Sequence, residues 1–310
     1  MHFLLPIATN KYTLPFVGIV CILLWPAFQS GSISWLLLSG LAASVCAVLL
    51  TSELNTRNTL LRNGSRLVSS ILFLLLTVIV QLHVFSLGHL LLLLYLLSYH
   101  ILFRTVQIKS PGLSFFIYLL LSLSSFILPS ILIMVPVFWF SQLYTQSMSG
   151  KCFTASVMAL LVPYWLCFGF LVLIEDYQHI IDIASRQFTF HLPDYSSLTI
   201  PAIIQMAYII VVLAVGIVNF HKNKNEDKSR VRMILHLVIS HAAVLTLLII
   251  IQPQNLYSIL PLLVLCTAIM VGHFLALTYT KFAHIASIAF LILSIAVFAI
   301  SAFPELLTII

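Results

Sequence analysis

Charge is what this 310-residue chain has least of. Asp, Glu, Lys and Arg make up 7% of it, against roughly a quarter in an ordinary soluble domain. That scarcity, with 62% apolar residues and a mean hydropathy of +1.16, excludes a soluble globular protein, a disordered chain and a coiled coil. Cysteine is also sparse. None of the five forms a C-x-x-C pair, so neither a disulfide framework nor a zinc site is expected. The sequence has no P-loop, no G-x-G-x-x-G, no H-E-x-x-H and no nucleophile elbow. No Asp, Glu, Lys or Arg lies near the middle of an apolar run. This argues against a buried-carboxylate ion transporter and a retinal-type Schiff base. No cofactor is implied.

What is present is apolar run after apolar run. A span takes about 20 residues, so this length leaves no room for a soluble domain of roughly 100 residues. The chain reads as a single integral membrane domain, 1–310, of all-α class: a polytopic transmembrane helical bundle. Polar breaks separate eleven candidate spans at about 12–28, 33–51, 67–84, 87–103, 112–128, 130–146, 153–174, 200–220, 233–251, 255–277 and 284–302. No small-x-small cleavage site follows the first run cleanly, so it reads as a retained helix. The segment 112–146 reads as two spans turning near Pro129, since proline disfavours helical geometry at the residue before it.

The basic residues test that division. With eleven spans and a cytoplasmic N-terminus, thirteen of the fourteen fall in cytoplasmic loops, and Arg186 alone does not. Five of the eight acids, Glu175, Asp176, Asp182, Asp194 and Glu305, then lie outside. Reading 112–146 as one span would destroy this bias over the second half. The net charge of +6 is accordingly a topology signal, and nucleic acid is not an expected partner.

The outer segment 175–199 is long enough to have its own structure. Tyr177, Ile180, Ile181, Ala184 and Phe188 share one helical face, opposite Glu175, Gln178, Asp182, Ser185 and Arg186. That pattern predicts an amphipathic helix in the outer interface. The cytoplasmic turn 221–232 reads as a solvated orienting loop. Span two carries Gly40, Ser44 and Ala47 at helical spacing, a strip that lets another helix approach closely.

Candidate chemistry is thin. Glu175 and Asp176 could serve as a base or bind a metal at the outer surface, although a helix end anchored in water gives the same residues. His241 is the best mid-span polar candidate, and His179 the best outer one, for a metal or proton site. His236 and His241 are five apart and do not share a helical face. Hydrogen-bonded or interfacial histidine is the plainer reading of both.

Ser-Phe-Ile-Leu-Pro-Ser-Ile-Leu at 125–132, Ala-Leu-Leu-Val-Pro-Tyr-Trp-Leu at 159–166, the pair Glu175–Asp176 and Leu-Asn-Thr-Arg-Asn-Thr-Leu at 54–60 resemble an uncharacterised polytopic inner-membrane family of Bacteroidota, a domain of unknown function. The resemblance covers about the first two-thirds of the chain. It implies a multi-pass protein of a Gram-negative inner membrane and supplies no catalytic residue. More loosely, the span count and the proline-marked pair at 112–146 are similar to membrane glycosyltransferases that use polyprenyl-phosphate sugars. Those enzymes place an acid in the first outer loop, and 29–32 has none. The expectation is therefore a non-enzymatic envelope component, engaged in assembly or lipid handling, with membrane lipids and other envelope membrane proteins as partners. A lipid-linked glycosyltransferase or its degenerate relative, and a transporter or flippase, are the alternatives.

Overall fold

The computed structural model describes residues 12–27, 34–61, 65–175, 177–188, 193–277 and 281–303. Every regular element among them is helical. In chain order they are α1 (Thr13–Ala27), α2 (Trp35–Asn58), α3 (Leu67–Val78), α4 (Leu87–Arg104), α5 (Pro111–Ile127), α6 (Met134–Tyr144), α7 (Gly150–Leu173), α8 (Tyr177–Phe188), α9 (Ile200–Asn223), α10 (Ser229–Ile251), α11 (Leu256–Leu277) and α12 (Lys281–Ala302). Seven of these, α2, α4, α7 and α9 to α12, are long and apolar enough to cross a membrane. Helices α1, α3, α5 and α6 are apolar but shorter. The first outer loop (29–32), Asp176 and Glu305, on which sequence expectations rest, lie outside the described residues.

Local chemistry sets the helix ends. Ser34, Ser110 and Ser149 each accept a backbone N–H of the first turn through the side chain, supplying a partner that helical geometry withholds there. Pro111 opens α5, where its missing N–H costs nothing. Helix α2 continues through the polar stretch where hydropathy predicts a loop. Leu54, Asn55 and Asn58 turn inward there, and Asn55 Nδ2 donates to the Ser65 carbonyl at 2.6 Å. The helix stops at Thr59, whose φ of 48° is left-handed.

The helices form two compact units. Unit 1 comprises 1–93, 194–249 and 253–310; unit 2 comprises 94–193 and 250–252. Their boundary falls within α4. At the centre of unit 1 is α11, where every residue from 259 to 276 is buried. Glycines let its neighbours close in. A Cβ on Gly272 would lie 2.7 Å from Val68 of α3, and one on Gly88 of α4 would lie 2.6 Å from the Tyr257 carbonyl. Pro261 lacks the N–H that would otherwise serve that carbonyl within the helix. Gly40, in the small-residue strip of α2, approaches the His83 carbonyl, where a Cβ would sit at 2.3 Å.

In unit 2 the chain reverses after Pro129. Gln142 of α6 donates to Ser114 Oγ at 3.1 Å and accepts from Tyr118 OH at 3.2 Å. These bonds join the end of α6 to the beginning of α5, so the two helices are antiparallel. Helix α7 runs parallel to α5: Ser122 donates to the Leu160 carbonyl at 2.8 Å, and Ser125 bonds Tyr164 one turn later. Helix α8 forms where amphipathic periodicity places it. Tyr177 and Ile181, on its predicted apolar face, are exposed.

Candidate functional site: an apolar groove with a polar end

An apolar groove with polar groups at its floor and end lies in unit 1. Helices α1, α3 and α12 enclose a groove of about 270 Å³. Its floor is buried: Cys21, Thr77, Val78 and Ser294. Its rim is open, with Phe16, Val20, Leu291 and Ile295 between 40% and 70% exposed. The few polar floor groups are satisfied within the protein. Thr77 Oγ1 donates to the Phe73 carbonyl at 2.8 Å, and Ser294 Oγ donates to the Phe290 carbonyl at 2.7 Å. Ser294 also pairs with Tyr208 OH at 2.6 Å. A dry, apolar groove results, since water needs two to four polar partners to stay in such a space.

One turn beyond the groove is a cluster of uncharged polar groups. Gln205 of α9 is wholly buried. Its Nε2 donates to Gln81 Oε1 at 2.7 Å and to Ser301 Oγ at 2.8 Å, and its Oε1 accepts from Tyr257 OH at 3.3 Å. This joins α9, α11, α12 and the turn Val80–Leu82. Alongside it, Trp25 and His83 stack at 4.3 Å. Trp25 Nε1 donates to the His83 carbonyl at 3.1 Å, and the His83 ring nitrogens lie 3.1 and 2.8 Å from the carbonyls of Trp25 and Thr77. His83 thereby occupies a carbonyl that the end of α3 leaves without a helical donor.

At the other end of unit 1, Asp227 reaches inward from the turn before α10. Its Oδ2 lies 3.0 Å from His273 Nε2 on α11, with both side chains less than 5% exposed. His221, His236 and His273 all meet the Phe220 ring, at 5.6, 5.1 and 6.0 Å between centroids. These histidines converge on an aromatic ring rather than on a common centre. Among the described residues, no group of three His, Cys, Asp or Glu side chains could hold a metal.

The residues singled out from sequence are scattered. His241 is wholly buried within α10. Glu175 and His179 are exposed, and neither lines the groove or a second apolar hollow in unit 2 beside Trp139 and Phe153. The φ of 58° at Glu175 belongs to the turn that ends α7, where its N–H donates to the Val172 carbonyl at 3.1 Å. Asp176 is outside the described residues. Sequence reading passed over Gln205, Gln81 and the Asp227–His273 pair. A signal for the first exists: Gln205 interrupts an otherwise apolar run, and a polar side chain at membrane depth needs a partner. Comparison with family models, with curated proteins and with solved structures finds no match to this chain.

Proposed function

We propose that this chain is a non-enzymatic component of the bacterial cell envelope that handles membrane lipid, and that it crosses the inner membrane eleven times from a cytoplasmic N-terminus. The observation that carries the lipid-handling reading is the apolar groove between α1, α3 and α12, open along a rim of exposed Phe, Val, Leu and Ile. In a bilayer such a rim faces hydrocarbon chains, the solvent at that depth.

The bonds within unit 1 support the alternation of spans. Gln81, Gln205, Tyr257 and Ser301 meet at one end, where eleven alternating spans place the outer surface. Arg230 Nη2 and Asn58 Oδ1, 3.4 Å apart, meet at the other. The reversal at Pro129 supports counting α5 and α6 separately. Helix α8 then lies in the outer interface, with its apolar face on lipid. Glycosyl transfer at Glu175 or Asp176 would need a substrate groove beside them, and Glu175 lines neither the groove between α1, α3 and α12 nor the hollow beside Trp139. Other envelope membrane proteins are the proposed protein partners.

Purification of the chain from native membranes, with mass spectrometry of what accompanies it, tests this reading. Retention of lipid through detergent exchange, together with an altered envelope lipid composition in a deletion strain, is the expected result. A chain that emerges lipid-free from a strain of unchanged lipid composition would overturn it.

A further inference from the structure

We infer that the groove and the amide–hydroxyl cluster at its end form one binding site, and that its ligand is a glycerolipid of no net charge taken from the surrounding bilayer. This rests on the lipid-handling reading and names the ligand. The two parts are continuous along three elements. Ser301 follows the groove residue Phe298 by three positions on α12, about 4.5 Å along the helix axis at 1.5 Å per residue. Gln81 follows the groove residue Val78 by the same number, and Tyr208, bonded to the groove floor at Ser294, follows Gln205 by three on α9.

The groove accepts a hydrocarbon tail. Its volume is about 270 Å³, whereas about 150 Å³ is enough to hold benzene. Burying a chain there exchanges one apolar surrounding for another, so the tail alone confers little preference. Preference arises at the polar end. Gln81 is exposed, and its Oε1 already accepts from Gln205. Its amide N–H2 is what it has to offer, and the ester carbonyls of a glycerolipid are acceptors at the matching depth.

Charge selects the head group. Among the described residues, no Lys, Arg, Asp or Glu lines the groove or joins the cluster. Firm anion binding calls for Arg or Lys at the phosphate, or for a basic cluster at the membrane surface. The backbone N–H of Asp194 donates to Gln254 Oε1 at 3.4 Å, three positions before Tyr257 of the cluster, and its carboxylate accepts from Ser196. Among the described residues of the groove and the cluster, an anionic head group meets no Lys or Arg.

Photo-labelling of the full chain in nanodiscs tests the site. The discs hold equal mole fractions of phosphatidylethanolamine and phosphatidylglycerol, with a diazirine on an acyl chain of one and then of the other. The zwitterionic probe is expected to label the floor peptides containing Val78 and Ser294 about fivefold more than the anionic one, a difference of about 1 kcal/mol set by head-group charge. Ile295→Trp and Val20→Trp, both at the exposed rim, should each abolish floor labelling while leaving the chain monodisperse. Gln81→Leu, which removes the donor to an ester carbonyl that both lipids carry, should lower floor labelling by both probes. Equal labelling by both probes in the wild type, or labelling confined to exposed faces such as α7, overturns the inference. If lipid is nonetheless retained on native purification, the broader lipid-handling reading survives that failure; loss of both removes the reading itself.

Discussion

At the residue scale, close approaches between backbones are the sharpest constraints in unit 1. Gly40 and Gly88 sit where an added Cβ would lie 2.3 and 2.6 Å from backbone carbonyls, which cannot rotate away. Gly40→Ala and Gly88→Ala are expected to lower stability by about 1–3 kcal/mol, the usual cost of overpacking. Gly18→Ala, with nothing within 4 Å, should leave the melting temperature in detergent unchanged. The small-residue strip on α2 was legible because its spacing is periodic. That Gly40 would meet a chain turn instead of a helix was not, because only the fold brings His83 there. Trp25→Phe should cost about 1 kcal/mol, since it deletes the donor to the His83 carbonyl but keeps the ring stack. Chemical denaturation of the two proteins side by side measures that difference.

At the element scale, hydropathy located helices well and their ends poorly. Each apolar run of the sequence contains a helix, because twenty apolar residues without a donor from water have few other ways to satisfy their backbone. Hydropathy does not distinguish a residue facing lipid from one facing protein. Helix α3 is the clearest case: it has only 12 residues, and all but Leu74 are buried. Helix α2 is the converse, extending past its apolar run because Leu54 and Asn55 pack inward. One amide bonds α5 to α6 across the reversal. Gln142→Leu would leave the Tyr118 hydroxyl without its acceptor and Ser114 without its donor. A loss of about 1–3 kcal/mol is expected, read as a lower melting temperature with the helical circular dichroism retained. The candidate site was less legible than the helices, because Gln81, Gln205, Tyr257 and Ser301 are far apart in sequence and each is unremarkable alone.

At the scale of the whole molecule, scarce charge becomes a ruler for orientation. The proposed eleven spans from a cytoplasmic N-terminus would place the two ends of the chain on opposite sides. A reporter fused after Ile310 is therefore expected to be active only outside the cytoplasm. Activity in the cytoplasm would remove one span from the count, with α1, α3, α5 and α6, the shorter apolar helices, first in question. Fusions in the connections before α5 and after α6 should report the same side as each other, because α5 and α6 are antiparallel.

The enclosure of α11 has a consequence for how freely the gene can vary. From 259 to 276 every side chain is covered by protein, so no face of that helix is exempt from packing. On α7 the buried positions are Cys152, Ser156, Ala159 and Pro163, a single stripe at intervals of three and four. Saturation mutagenesis should therefore give α7 a tolerance profile that rises and falls with the helical period. Along α11 the profile should be uniformly intolerant, the mark of a segment that is hydrophobic enough for lipid and yet never touches it.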